Sequence, residues 1–207
     1  MNSMKLIDLS HTFRANMPAY PTDEAPAITQ TSFMEKEGYV CYRVETGMHA
    51  GTHMDSPMHF FPDGQKICDI SLDLLFGRGH LIDARGKTEI NSSFLENQSI
   101  EEGDIVLIFT GFDKHFGEEK YYKNYPTLTK DCAEKIIELG VKMIGSDTPS
   151  PDYPPFDAHK ILLSKGVLIL ENLTNLETLL GIRDFEIIAL PPKFETEAAP
   201  ARIVARV

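Results

Sequence analysis

The stretch HAGTHMDSPMHF, residues 49–60, places three histidines and one aspartate within eleven residues. Imidazole nitrogens and carboxylate oxygens are ligands that suit Zn²⁺, Mn²⁺ or Fe²⁺. The stretch contains no cysteine, so its composition does not favour a structural zinc finger. It predicts a catalytic metal site that keeps an open coordination position.

The spacing of these residues argues against a helix. On a helix His49 and His53 would share a face, but Asp55 would point about 200° away from His53, and Pro57 would break the turn. On a strand the side chains at odd positions share one face, but a straight strand would separate His49 from Asp55 by about 20 Å. The glycines at positions 47 and 51 therefore predict a bend or bulge that draws these side chains together.

A division of roles follows from the number of ligands. His49, His53 and Asp55 form a set of three, the number that a catalytic metal keeps when water occupies its remaining position. A metal lowers the pKa of its water to roughly 7, so hydrolysis needs no serine or cysteine nucleophile. His59 is then free to act as general acid and base. The alternative is a strand end at which the histidines only form structural hydrogen bonds.

Composition bounds the class of protein. The chain has 207 residues and a formal net charge of −11, with no basic cluster, which argues against a nucleic-acid partner. No signal-peptide core and no window of roughly 20 apolar residues is present, so neither export nor membrane insertion is expected. Three widely separated cysteines are typical of reduced thiols. We expect one cytoplasmic domain spanning residues 1–207.

Hydrophobic patterns predict an α/β fold with a β-rich first half. Residues 38–45 alternate as a half-buried strand does and lead into the histidine-rich stretch. From Asp104 onward strands and helices alternate, with a helix predicted over residues 129–139. A second helix should be capped by Asp157 and carry His159, and the strand that follows it should end at Glu171.

The stretch HAGTHMDSPMHF resembles the signature of the metal-dependent cyclase family, which includes the bacterial kynurenine formamidases and the isatin hydrolases. The resemblance extends to LIDLSH at residues 6–11, DAH at residues 157–159 and GVLILENL at residues 166–173. It implies a swivelling β/β/α fold, with a central barrel-like sheet and outer helices, and a homo-oligomer, either a dimer or a tetramer.

The resemblance also implies roles for individual residues. Asp55 would bridge to a second ion held by His159 and Glu171, and His59 would be the general acid/base. The expected cofactor is a divalent metal, Zn²⁺ at one or two ions per chain, with Mn²⁺ as the alternative. Relatives carry an aromatic residue, usually Trp, in a loop that covers the substrate. This chain has no Trp, so Tyr20 is the candidate substrate-binding residue, unless it only anchors a proline-rich loop.

The implied reaction is hydrolysis of an aryl or cyclic amide, as in an arylformamidase, with a small molecule as substrate. Tyr20 in place of Trp, and an acidic turn at residues 195–200, argue against a kynurenine-type substrate. Isatin hydrolase-like lactam opening and a cyclase or dehydratase reaction on another small carbonyl compound are alternatives. Two alternatives are not hydrolases. One is a non-catalytic metal-binding module, and the other is an Fe²⁺ oxygenase, since two histidines and one carboxylate also suit non-haem iron.

Overall fold

The computed structural model describes residues 4–207. Within this range there are thirteen strands, three α-helices and several 3₁₀ turns. The strands are β1 Leu6–Asp8, β2 Ala27–Ser32, β3 Cys41–Glu45, β4 His53–Asp55, β5 Phe76–Asp83, β6 Glu89–Ile90, β7 Ile105–Phe109, β8 Thr127–Leu128, β9 Met143–Ser146, β10 Leu168–Glu171, β11 Glu186–Leu190, β12 Ala198–Pro200 and β13 Arg202–Arg206. The helices are α1 Met34–Glu37, α2 Lys130–Glu138 and α3 Asp157–Leu163.

Nine of these strands form one mixed sheet in the order β1-β13-β11-β5-β7-β9-β10-β4-β12. The four central strands, β5, β7, β9 and β10, run parallel to one another, and antiparallel strands extend the sheet on both sides. The first and last strands of the chain pair with each other, so distant parts of the sequence share one sheet. The α/β class predicted from the sequence is confirmed, with a curled sheet and few helices.

Alternation along the central strands divides the core into two layers. In β7, Leu107 faces a cluster formed by the curled sheet itself, whereas Val106 and Ile108 face the helices. Cys132, Ala133 and Ile136 of α2, and Leu162 of α3, cover that second face. Strands buried on both faces read as continuous apolar runs, which is why residues 105–109 lack a polar position.

The arrangement of β4 and α3 decides where the histidine-rich stretch lies. Met54 points into the sheet's own apolar cluster, so His53 and Asp55 face the opposite side, toward α3. The predicted bend precedes this strand at Gly51, whose φ of 65° is a left-handed conformation that favours glycine. Gly47 does not have a positive φ, so the bend depends on one of the two predicted glycines.

The sequence prediction for the start of α3 was wrong in one respect. Asp157 was expected to cap the helix, but it is the first helical residue, and the N-cap position is Phe156, without a side-chain cap. The carboxylate of Asp152 instead accepts a hydrogen bond from the Ala158 amide at 2.6 Å. A local pattern could not show this, because the acceptor lies outside the helix, in the preceding loop.

Two features lie outside the main sheet. Strands β2 and β3 form a separate hairpin whose second strand is exposed along its whole length. The part of the chain that the structure describes contains no helix long and apolar enough to cross a membrane.

Candidate metal centre and its cavity

Two neighbouring strands bring three of the predicted ligands together. His53 and Asp55 project from β4, and the antiparallel register places His53 opposite Glu171, the last residue of β10. All three side chains are buried: Asp55 is 0% exposed, His53 1% and Glu171 5%. The sheet therefore holds two carboxylates and an imidazole in a place from which water is largely excluded.

The turn before β4 carries His49 and orients the His53 ring. The side chain of Asn172, which follows β10, donates a hydrogen bond to the Gly51 carbonyl at 3.0 Å. The same carbonyl faces His53 Nδ1 at 2.8 Å, and a carbonyl can only accept, so Nδ1 carries the proton. In a neutral His53 ring, Nε2 therefore presents its lone pair to the cluster.

Helix α3 supplies the fifth predicted ligand, His159, from the other side of the site. His159 is buried, and its Nδ1 lies 2.5 Å from Asp152 Oδ1. Its Nε2 lies 3.2 Å from Glu171 Oε1 and 3.9 Å from Asp55 Oδ2. Sequence spacing alone could not join His159 to the histidine-rich stretch, and the structure brings the two together.

Asp55 lies at the centre of the cluster. Its Oδ1 is 3.0 Å from His49 Nδ1 and 3.5 Å from His53 Nε2, and these two ring nitrogens are 3.2 Å apart. Its Oδ2 is 3.9 Å from His159 Nε2. The two oxygens of one carboxylate are thus directed at different imidazoles.

The residues fit a divalent cation. Within residues 4–207 neither oxygen of Asp55 has a hydrogen-bond donor in acceptable geometry, although the carboxylate is fully buried. A buried carboxylate whose close partners are imidazoles in poor hydrogen-bonding geometry is costly, so the cluster favours additional positive charge. Two groups of described residues bring their ligand atoms close enough together to hold a metal ion. One is His53, Asp55 and Glu171, and the other is His49, Asp55 and His59.

The pKa shifts show that carboxylates dominate the charge of the cluster. Burial alone would lower the pKa of His49, but the negative charges of Asp55 and Glu197 raise it to about 11. Burial likewise opposes protonation of His159, yet Asp152 and Glu171 raise its pKa to about 10. The carboxylates therefore attract protons onto the imidazoles when no other cation is present, and a metal ion would replace those protons.

Each imidazole of the predicted ligand set has a partner on the nitrogen that points away from the cluster. His53 Nδ1 faces the Gly51 carbonyl, His159 Nδ1 faces Asp152, and His49 Nε2 lies 3.5 Å from Glu197 Oε1. Such outer contacts fix the ring orientation and tautomer of metal-binding histidines. Asp152 and Glu197 were not among the predicted site residues. The cue for Asp152 is its position in a polar loop seven residues before His159.

His59 follows β4 in a 3₁₀ turn over Pro57–His59 and is partly exposed. Its ring centroid lies 4.3 Å from that of His49 and 6.0 Å from that of His159. Burial lowers the pKa of His59, and although Asp55 opposes this, the His49 and His159 rings act in the same direction as burial. A neutral imidazole next to the cluster can accept a proton.

A cavity of about 240 Å³ opens above the cluster, and His49, His59, His159 and Glu171 all contribute to its lining. The proline-rich loop after β1 contributes Tyr20 and Asp23. The loop after β9 contributes Pro149 and Ser150. The remaining walls are largely aromatic and include Phe60, Tyr122 and Phe156.

The other histidines lie apart from the cluster. His80 pairs with Asp104 at 2.6 Å, and His115 Nδ1 lies 3.5 Å from a Glu118 oxygen. The ring of His11 stacks on that of Phe116, with centroids 3.8 Å apart, and its Nε2 has no partner within residues 4–207. All three cysteines are free thiols.

Comparison with known proteins agrees with this arrangement. The Cyclase family model matches residues 7–153. The kynurenine formamidase of Bacillus cereus is 31% identical over 213 residues, covering 100% of this chain and 99% of that protein. Isatin hydrolase A of Ralstonia solanacearum has the same fold, with a TM-score of 0.89, 23% identity and coverage of 99% of this chain and 92% of that one.

A third similar protein, from Bacillus stearothermophilus, is described as a predicted metal-dependent hydrolase. It has a TM-score of 0.81 and 26% identity, with coverage of 99% of this chain and 98% of that one. The fold and the buried histidine–carboxylate cluster thus define an α/β protein of the metal-dependent hydrolase class. The chain belongs to the cyclase family.

Proposed function

We propose that the protein is a metal-dependent hydrolase that cleaves the C–N bond of an aryl or cyclic amide. One observation carries the proposal: the fully buried Asp55 carboxylate makes no hydrogen bond of acceptable geometry within residues 4–207. It lies between two groups of ligand side chains beneath a cavity that His59 also lines. Full-length similarity to the kynurenine formamidase of Bacillus cereus supports the reaction class.

His49, His53 and Asp55 would hold a first divalent ion, and Asp55, His159 and Glu171 a second. The orientation of the two Asp55 oxygens supports this division. The donors are nitrogen and oxygen without sulfur, which suits Zn²⁺ and also Mn²⁺. When bound, such an ion supplies a water with a pKa of roughly 7 and polarises a carbonyl oxygen.

The protein's own residues provide the other parts of the reaction. His59, whose pKa is lowered by burial, would take a proton from the attacking water and pass it to the departing nitrogen of the amide. Asp152 and Glu197 keep the His159 and His49 rings oriented toward the ions. Tyr20, Phe60 and Tyr122 form apolar walls against which a flat ring can pack.

An open-chain aryl amide and a cyclic amide are both compatible with this cavity. A cavity of roughly 150 Å³ already admits benzene, so one of about 240 Å³ accepts a single ring with short substituents. The named relatives include both a kynurenine formamidase and isatin hydrolases, so a lactam is the second candidate substrate class.

Metal content is the first test. We expect one or two zinc or manganese ions per chain by elemental analysis. Removing them with a chelator should lower the melting temperature by about 10 °C, because ligand binding at a thousandfold excess over Kd contributes roughly 4 kcal/mol. Less than a tenth of an ion per chain, together with an unchanged melting temperature after chelation, would contradict the proposed metal centre.

Tyr20 is proposed to pack against the substrate ring. Its own ring meets that of Tyr122 edge to face, with centroids 6.0 Å apart. Stacking on the order of 1 kcal/mol should appear as a several-fold loss of kcat/KM in Tyr20→Ala, limited to aromatic amides. Tyr20→Trp should retain the rate, and hydrolysis of an aliphatic formamide is the control. Equal losses on aromatic and aliphatic substrates would exclude a role in selection.

We also propose a cytoplasmic homo-oligomer. Supporting features are the free thiols and the exposed apolar residues of the β2–β3 hairpin, among them Tyr42 and Val44. A two-stranded hairpin is marginally stable by itself in water, so a second subunit is its expected packing partner. Sedimentation should give a mass of two or four chains of 23.2 kDa, and a mass of one chain would exclude oligomerisation.

A further inference from the structure

The cavity lining includes an exposed carboxylate at its outer end and no Lys or Arg. Among the lining residues the acidic ones are Asp23 and Glu171, and none is Lys or Arg. Glu171 is buried in the ligand cluster, whereas Asp23 is exposed on the proline-rich loop. The charge that a substrate meets first is therefore that of Asp23.

Local hydrogen bonds hold the loop that carries Asp23 but leave its carboxylate largely free. The Asp23 amide donates to the Tyr20 carbonyl at 2.8 Å and closes a turn. The hydroxyl of Thr22, 3.3 Å from Asp23 Oδ1, is the side-chain donor to this carboxylate within residues 4–207. The carboxylate thus retains acceptor capacity for a ligand.

Two tyrosines surround this acidic corner. Burial and then the negative charge of Asp23 raise the pKa of Tyr122 to about 12, so its phenol stays neutral. The edge-to-face contact with Tyr20 described above places the second ring in the same corner. A carboxylate beside aromatic rings is a favourable environment for an ammonium group, which gains both charge pairing and cation–π attraction.

We infer that Asp23 makes the cavity select amides that carry an ammonium group at the end away from the scissile bond, and reject those with a carboxylate there. The inference rests on the proposed amide hydrolysis, because the metal centre fixes which end of the substrate points inward. It narrows the substrate class to aminoalkyl-substituted aryl amides.

Three formanilides of matched shape test this inference. They carry para-aminomethyl, para-hydroxymethyl and para-carboxymethyl groups, so cation, neutral group and anion are each separated from the ring by one methylene. We expect kcat/KM to be highest for the cation, lower for the neutral compound and lowest for the anion, with a factor of about three to ten at each step at low salt. The differences should shrink at high ionic strength. Asp23→Asn should bring the three values together, and Asp23→Lys should reverse their order.

The matched control is Glu24→Gln, which removes a carboxylate from the adjacent position, outside the cavity lining. It should keep the parental order. Values within twofold for the parent, or an unchanged order in Asp23→Asn, would overturn the inference while leaving amide hydrolysis intact. If the parent cleaves none of the three, the proposed function fails instead. Calorimetric binding of benzylamine and benzyl alcohol to the parent and Asp23→Asn then decides the charge preference.

Discussion

Asp55→Asn is expected to remove the bound metal and to lower kcat/KM for an aryl formamide by a thousandfold or more. Asp55 faces both groups of candidate ligands, and within residues 4–207 neither of its oxygens makes a hydrogen bond of acceptable geometry. The amide of Asn is similar in shape but neutral and a weaker ligand. Losing several kcal/mol of Lewis-acid stabilisation corresponds to roughly 10³ in rate.

Asp104→Asn is the matched control for this substitution. Asp104 is also a buried carboxylate paired with an imidazole, that of His80, but it precedes β7 and so lies at the opposite end of the parallel strands. We expect the control to keep its metal, even if it loses stability. Full metal content in Asp55→Asn would show that the ligands have been assigned wrongly.

His59→Ala is expected to keep the metal and to lose about 10² to 10⁴ in rate, the span associated with removal of a general acid/base. The His59 ring lines the cavity and lies close to the His49 ring, whereas His53 and His159 have inward nitrogens directed at carboxylates. Added imidazole should restore part of the rate, because the truncated side chain leaves space next to the substrate.

His115→Ala provides the comparison, since this histidine lies outside the cavity lining and should change neither metal content nor rate by more than about twofold. Loss of metal in His59→Ala would make His59 a ligand, as its grouping with His49 and Asp55 also allows. An unchanged rate would leave His59 with a structural role.

The sequence was informative where the chemistry is local. Odd spacing and Gly51 predicted that His53 and Asp55 share a face and that the chain bends before them, and the structure shows both. His159 and Glu171 followed only from family resemblance. Their proximity depends on the pairing of β4 with β10 and on how α3 covers the sheet, which spacing cannot reveal.

The sequence analysis did not identify the residues that orient the ligand side chains. The loop position of Asp152 is a cue, but its role depends on α3, because its two oxygens are shared between His159 and the Ala158 amide. Glu197 lies far along the chain from His49, and the neighbouring strands β12 and β4 bring the two together. In the sequence Asp23 does not differ from an ordinary turn aspartate, and only its place in the cavity lining distinguishes it.

The most direct measurement of the central claim is release of formate from formanilide by metal-free protein to which zinc is added stepwise, with bound zinc determined in the same samples. The activity should be negligible without metal, rise with the amount of bound zinc and reach a plateau at one or two ions per chain. A parallel titration with manganese should restore hydrolysis as well, because the chemistry requires no redox change. Formate release by the metal-free protein at the rate of the loaded protein would contradict metal-dependent amide hydrolysis at this site.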